Sequence, residues 1–195
     1  MKKTRILTSL ISMVLIGSLC LTFCACGNNQ KADSDNGASN KENVKSEQEE
    51  TIPEISLDEK ITTDDFEFTL NKVELSYNVK PDNPPSFYSY YEADEGQVYI
   101  YINASVKNLK QQEIACDEVY TVTANYNNGY TYEGFNIITD TDGDFSYANI
   151  NDITPLQTLG IHCLIDCPEE VETSDNPLTL TIKFRDGKEY LYKVR

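Results

Sequence analysis

The chain has 195 residues and a net charge of −16. So acidic a surface repels a phosphate backbone, which is bound by neutralising it with Lys and Arg, and it repels an anionic membrane surface as well. Nucleic acid is thereby excluded as a partner, and the charge bears on solubility and cations rather than on fold.

Met1-Lys2-Lys3-Thr4-Arg5 is a short basic start, and no charge follows from Ile6 to Ala25. That is the layout of an export signal. The run ends in Leu21-Thr22-Phe23-Cys24-Ala25-Cys26-Gly27, where small Ala25 and Gly27 flank Cys26. Bacterial lipoprotein signals end in small residues followed by the cysteine that is acylated, so residues 1–25 are expected to be removed and Cys26 to carry the lipid. The alternative is an uncleaved helix, since about 20 apolar residues can span a bilayer. Either way the remainder lies outside the cytoplasm. Loss of Lys2, Lys3 and Arg5 with the signal takes the net charge from −16 to −19.

Residues 26–54 are rich in Asn, Gln, Lys, Ser, Asp and Glu, with Val44 and Ile52 almost the only large apolar side chains. Such a segment buries too little apolar surface to offset the entropy of ordering, and it is expected to be a disordered polar stalk. Residues 55–195 have the size of one domain.

There the apolar residues recur every second position. Phe66, Phe68 and Leu70 alternate with polar residues, then Val73, Leu75, Tyr77 and Val79 do so on the opposite parity, which predicts a bulge near Asn71-Lys72. Val98, Ile100, Ile102, Ala104 and Val106 form one face of a central strand, with Tyr99, Tyr101, Asn103, Ser105 and Lys107 on its polar face. Tyr120, Val122, Ala124 and Tyr126 lead to a hairpin at Asn127-Asn128-Gly129, with an extended return through Tyr130, Tyr132 and Phe135. A strand from about Thr158 to Asp166 is expected to stop before Pro168, a short turn follows near Glu169–Glu172, and Leu178–Phe184 pairs through Asp186-Gly187 with Tyr190–Val194. About seven strands in series with tight turns predict an all-β, antiparallel sandwich.

The segments DFEFTLNKVEL, GQVYIYINASVKN, CPEEV and LTLTIKF, behind a lipidation signal and an acidic stalk, resemble the Ig-like lipoprotein domains of unknown function common in Firmicutes. Those domains are related to secreted mycobacterial immunogenic antigens. The resemblance covers about residues 60–195 and implies an Ig-like β-sandwich on the extracellular face of the membrane of a Gram-positive bacterium. It carries over no catalytic motif.

Three groups of residues are candidates for chemistry. Asp140-Thr141-Asp142-Gly143-Asp144 could present several carboxylates to Ca²⁺, but the spacing is not that of an EF-hand, because Gly143 falls at position 4 and Asn151 at 12. An Asp/Gly turn is the competing explanation. In the Pro-rich segment 81–91, Phe87, Tyr88, Tyr90 and Tyr91 either cap an end of the sandwich or form a recognition surface for a protein or glycan of the cell envelope. Cys163 and Cys167 would be about 13 Å apart on an extended strand, too far to bridge, whereas Cys116 could pair with either.

The one histidine, His162, has no nucleophile-elbow sequence to serve, and phosphate-binding glycine loops are absent. The expected function is a non-catalytic, membrane-anchored binding or scaffolding module without a cofactor. The alternatives are a calcium-dependent adhesion module using Asp140, Asp142 and Asp144, and a secreted hydrolase using dispersed carboxylates.

Overall fold

Period-two alternation becomes two faces of β-sheet. The computed structural model describes residues 51–195; the signal segment 1–25, the lipidation site Cys26 and nearly all of the stalk 26–54 lie outside the described residues. The strands are β1 (Lys60–Thr62), β2 (Phe66–Ser76), β3 (Asn78–Val79), β4 (Tyr91–Glu92), β5 (Gln97–Asn108), β6 (Ile114–Ala115) and β7 (Tyr120–Tyr126). They continue with β8 (Tyr130–Glu133), β9 (Phe135–Thr139), β10 (Phe145–Tyr147), β11 (Asp152–Ile153), β12 (Thr158–Pro168), β13 (Leu178–Phe184) and β14 (Glu189–Lys193). A single helical turn, α1 (Glu170–Thr173), sits where the short turn was expected.

Two antiparallel sheets form the sandwich, one in the order β1-β2-β5-β12-β9-β10 and the other in the order β14-β13-β7-β8. Short pairs β6-β11 and β3-β4 complete it. All the expected long runs are strands; what the alternation did not reveal are pieces of two or three residues that hold the loops. The core lies between the sheets, where Phe66 and Phe68 meet Phe184 with ring centroids 5.2 and 5.0 Å apart and Phe68 meets Tyr120 at 5.2 Å. The Tyr120 hydroxyl, fully buried, donates to the Ile161 carbonyl 3.0 Å away and so ties one sheet to the other.

The bulge falls between Leu70 and Lys72, as the parity change requires. Asn71, the extra residue, donates to Asn103 Oδ1 and Ser105 Oγ, and the shift returns Val73 and Leu75 to the core side. In the β7–β8 turn it is Asn127 and Asn128 that take positive φ, at 50° and 53°, a region asparagine tolerates better than most residues. β12 runs two residues past the expected end, to Pro168. β9 pairs only with its stretch Ile161–Leu164, so no strand flanks Pro168 on that side and its missing N–H is tolerated.

The chain changes sheets between β8 and β9 at Gly134. A Cβ there would lie 2.4 Å from the Leu164 carbonyl oxygen and 2.6 Å from Ile165 Cγ1, so only glycine lets this crossing lie against β12. At the other end of the described chain, residues 53–55 run beside β14. The Ile55 N–H donates to the Leu191 carbonyl and the Leu191 N–H to the Pro53 carbonyl, while the Ile55 side chain is buried in the core.

One expectation fails on the central strand. Tyr101, on what should be the polar face of β5, is buried with Val79, Ile137, Phe145 and Leu164, and Tyr91 and Tyr99 pack around them. The segment from β3 to β4 folds back over the outer face of the six-stranded sheet and makes a second, smaller core there. Each of these larger apolar side chains contributes about 1.5–3 kcal/mol by leaving water.

Candidate functional site

The connection between β3 and β4 starts from buried Pro81 and returns at Tyr91. It is braced from outside. The Ser89 N–H donates to Asp144 Oδ1 at 2.7 Å, and Gly143, at φ +85°, comes so near Asn83 that a Cβ would sit 2.9 Å from the Asn83 carbonyl oxygen. The loop thereby holds three aromatic rings open to solvent: Phe87 is 92 % exposed and Tyr90 52 %, and Tyr88 lies edge-on to Tyr90 at 6.4 Å. Tyr91 is different. Its ring is half-buried against Phe135 at 5.6 Å and Phe145 at 6.0 Å, so of the four aromatic candidates three form the surface and the fourth is its footing.

The aspartate run does structural work. Asp140 Oδ1 accepts hydrogen bonds from the Asp142 and Asp144 N–H groups at 2.9 and 3.0 Å, and Asp144 Oδ1 accepts from the Phe145 N–H as well as from Ser89. This is an Asx-type turn in which the Asp140 and Asp144 carboxylates are aimed at backbone amides. Among the described residues no three His, Cys, Asp or Glu side chains gather in a way that could hold a metal ion, so Asp140, Asp142 and Asp144 are not brought together as a calcium cage.

Beyond Tyr91 the aromatic surface continues into a groove of about 470 Å³ lined by Asp117, Thr121, Gly134, Phe135, Asn136, Tyr147 and Asn149. Tyr147 is 63 % exposed and Phe135 43 %. The Asn136 amide donates to the Tyr120 carbonyl at 2.8 Å, which fixes that wall. Burial, and then the neighbouring Tyr147, hold the Tyr91 hydroxyl above its ordinary range. The groove was not legible in sequence because five separate elements build it; the nearest signal is Gly134 set between Tyr132 and Phe135.

His162 is no surface base. It is buried on β12, its Nδ1 2.9 Å from the Tyr101 hydroxyl and its Nε2 2.7 Å from Thr139 Oγ1, with Phe145 edge-on at 5.4 Å. Burial pulls its pKa down to about 4 against the opposing pull of Asp82. Of the two pairings open to Cys116, with Cys163 or with Cys167, neither is formed: all three are buried free thiols. Cys163 and Cys167 both point into the core from β12, where Cys167 donates to the Val98 carbonyl, and Cys116 begins the turn Cys116–Glu118 that leads into β7.

No protein-family model matches the chain, and none of the curated proteins is similar to it. Among solved structures, an uncharacterized β-sandwich protein from Clostridium difficile 630 is 44 % identical, with a TM-score of 0.73 over 76 % of this chain and 97 % of that one. The chain belongs to the family of that clostridial β-sandwich protein. A conserved hypothetical protein from Bacillus anthracis is 13 % identical with a TM-score of 0.48, covering 72 % of this chain and 94 % of that one. The yjhA protein from Bacillus subtilis is 10 % identical with a TM-score of 0.40, covering 73 % of this chain and 99 % of its own. As a member of the clostridial β-sandwich family, the chain has its fold corroborated independently of its strand periodicity. Among the described residues no helix is long and apolar enough to cross a membrane.

Proposed function

We propose that the chain is a lipoprotein of the cell envelope, held on the extracellular face of the membrane of a Gram-positive bacterium through Cys26, and that its Ig-like sandwich is a non-catalytic binding module. The lipidation signal at residues 21–27 and the polar stalk support the tether. The observation that carries the binding role is the braced aromatic loop. Exposed aromatic rings lower the free energy when covered, and the Ser89–Asp144 hydrogen bond and the prolines reduce the entropy lost when they are covered.

The role of His162 as a packed, hydrogen-bonded core residue supports a module without catalysis, as does the use of the Asp140 and Asp144 carboxylates to cap a turn. The direct test is retention of residues 27–195, which lack the signal and the lipid-bearing Cys26, on isolated cell envelopes. Wild-type protein should be retained, and the double variant Phe87→Ala, Tyr90→Ala should be released with an unchanged melting temperature. Equal retention of both would remove the loop from the function. For the tether, Cys26→Ala should move the protein out of the membrane fraction or leave it as an unprocessed precursor.

A further inference from the structure

The groove beside the aromatic loop differs from the loop in chemistry. The loop presents chiefly the open rings of Phe87, Tyr88 and Tyr90, whereas the groove sets the rings of Tyr147 and Phe135 among a carboxylate, a hydroxyl and amides, from Asp117, Thr121, Asn136 and Asn149. Its volume of about 470 Å³ falls in the range of small-molecule sites, roughly 300–1,000 Å³. No basic side chain lines it, and the one charge present is that of Asp117 in a chain of net charge −16. An anionic ligand is therefore repelled.

A sugar ring has the complementary chemistry. One face of a pyranose is a patch of C–H bonds that packs on an aromatic face, and its rim is a ring of hydroxyls that donate to a carboxylate and exchange hydrogen bonds with amides. The geometry argues against an extended peptide. Strand addition needs a run of free edge, but β10, the outermost strand of its sheet and the one carrying Tyr147, is three residues long and passes at once into the turn Ala148–Ile150.

We infer that the groove is a subsite for a neutral sugar ring of an envelope glycan, stacked on Tyr147 and Phe135 and hydrogen-bonded at its rim by Asp117 and Asn149. The assignment rests on the envelope-binding reading above. Tyr91, whose ring touches Phe135, connects this subsite to the exposed rings of the loop, so a chain of sugars leaving the groove passes over Tyr91 toward Tyr90.

The test uses the full-length protein in a non-glycosidic detergent, with neutral tetrasaccharides of glucose, mannose and N-acetylglucosamine and one acidic uronate tetramer as probes, followed by saturation-transfer NMR and titration. At least one neutral tetrasaccharide should receive saturation at its ring C–H protons, and the uronate should not. Tyr147→Ala should weaken that binding about tenfold and Asn149→Ala about threefold, the loss of a stacking contact and of a hydrogen bond respectively. Both residues are exposed, and an unchanged melting temperature shows the variants to be folded.

If no neutral sugar binds while envelope retention persists and is lost in Phe87→Ala, Tyr90→Ala, the sugar subsite is overturned and the binding module stands. Envelope retention abolished by protease treatment of the envelopes, with no sugar bound, makes the ligand a protein and likewise overturns the subsite. Sugar binding unchanged in Tyr147→Ala overturns the placement. Absence of both sugar binding and envelope retention removes the two readings together.

Discussion

The rings of Tyr101 on β5 and His162 on β12 stack with centroids 5.7 Å apart, and the Tyr101 hydroxyl shares a hydrogen bond with His162 Nδ1 at 2.9 Å. Since Thr139 engages the other ring nitrogen at 2.7 Å, both nitrogens of the imidazole are occupied inside the second core.

Acid should destabilise the domain through this histidine. Its folded pKa of about 4 lies below the unfolded value of 6.5, so between those two pH values the unfolded chain binds the extra proton. The stabilisation is complete above about pH 6.5 and is lost progressively as pH falls toward 4, up to about 3 kcal/mol. Raised carboxylate pKa values, as at Asp166, act in the opposite sense and make the net slope smaller. Urea unfolding midpoints of wild type and His162→Gln from pH 7.5 to 4 should converge at the acid end. Parallel profiles would show that His162 does not titrate in this window.

Asp144→Ala should free the aromatic loop. The carboxylate serves Ser89 of the loop and Phe145 of β10 together, and charge-assisted bonds of this kind are worth roughly 1.5–3 kcal/mol. The expected result is faster proteolysis between residues 82 and 90 and a modest fall in melting temperature. Cleavage at the wild-type rate would mean that the bracing is supplied elsewhere. Adding millimolar Ca²⁺ to the wild type should leave its melting temperature in place, because the Asp140 and Asp144 carboxylates already serve amides.

The three domain thiols should be inert in the folded protein. Burial pushes Cys116, Cys163 and Cys167 up to about 12, which leaves almost no thiolate at neutral pH. Maleimide labelling read by mass spectrometry should modify none of the three without denaturant and all three with it. Rapid native labelling at any of them would contradict the packing described.

Gly134→Ala should be costly. The new Cβ would press on backbone as well as side chain, at 2.4 Å from the Leu164 oxygen, and overpacking of this kind costs roughly 1–3 kcal/mol. Equilibrium unfolding of the purified variant gives the figure directly. A neutral result would mean that the crossing from β8 to β9 shifts without strain.

Much of the sandwich could be read from the chain because β7 and β13, and β5 except at Tyr101, bury one face only, against the other sheet, and such strands alternate. The bulge at Asn71 was legible for the same reason, since a change of parity has few other causes. Tyr101 and Leu164 were not legible as core, because what covers them arrives from a Pro-rich loop whose fold-back leaves no period. In the aspartate run composition alone cannot separate two uses of a carboxylate, cation binding and amide capping. The groove depends on Asp117, Phe135, Tyr147 and Asn149 meeting from separate elements, and no window along the sequence contains them all.

The pairing of residues 53–55 with β14 also has a mechanical side. Tension arriving along the backbone from the N-terminal direction meets first the two hydrogen bonds between this segment and Leu191, and then the side chain of Ile55 locked in the hydrophobic interior. Those bonds and that plug form a mechanical fuse. A pull must shear them before any load reaches β1 and the sheets beyond it.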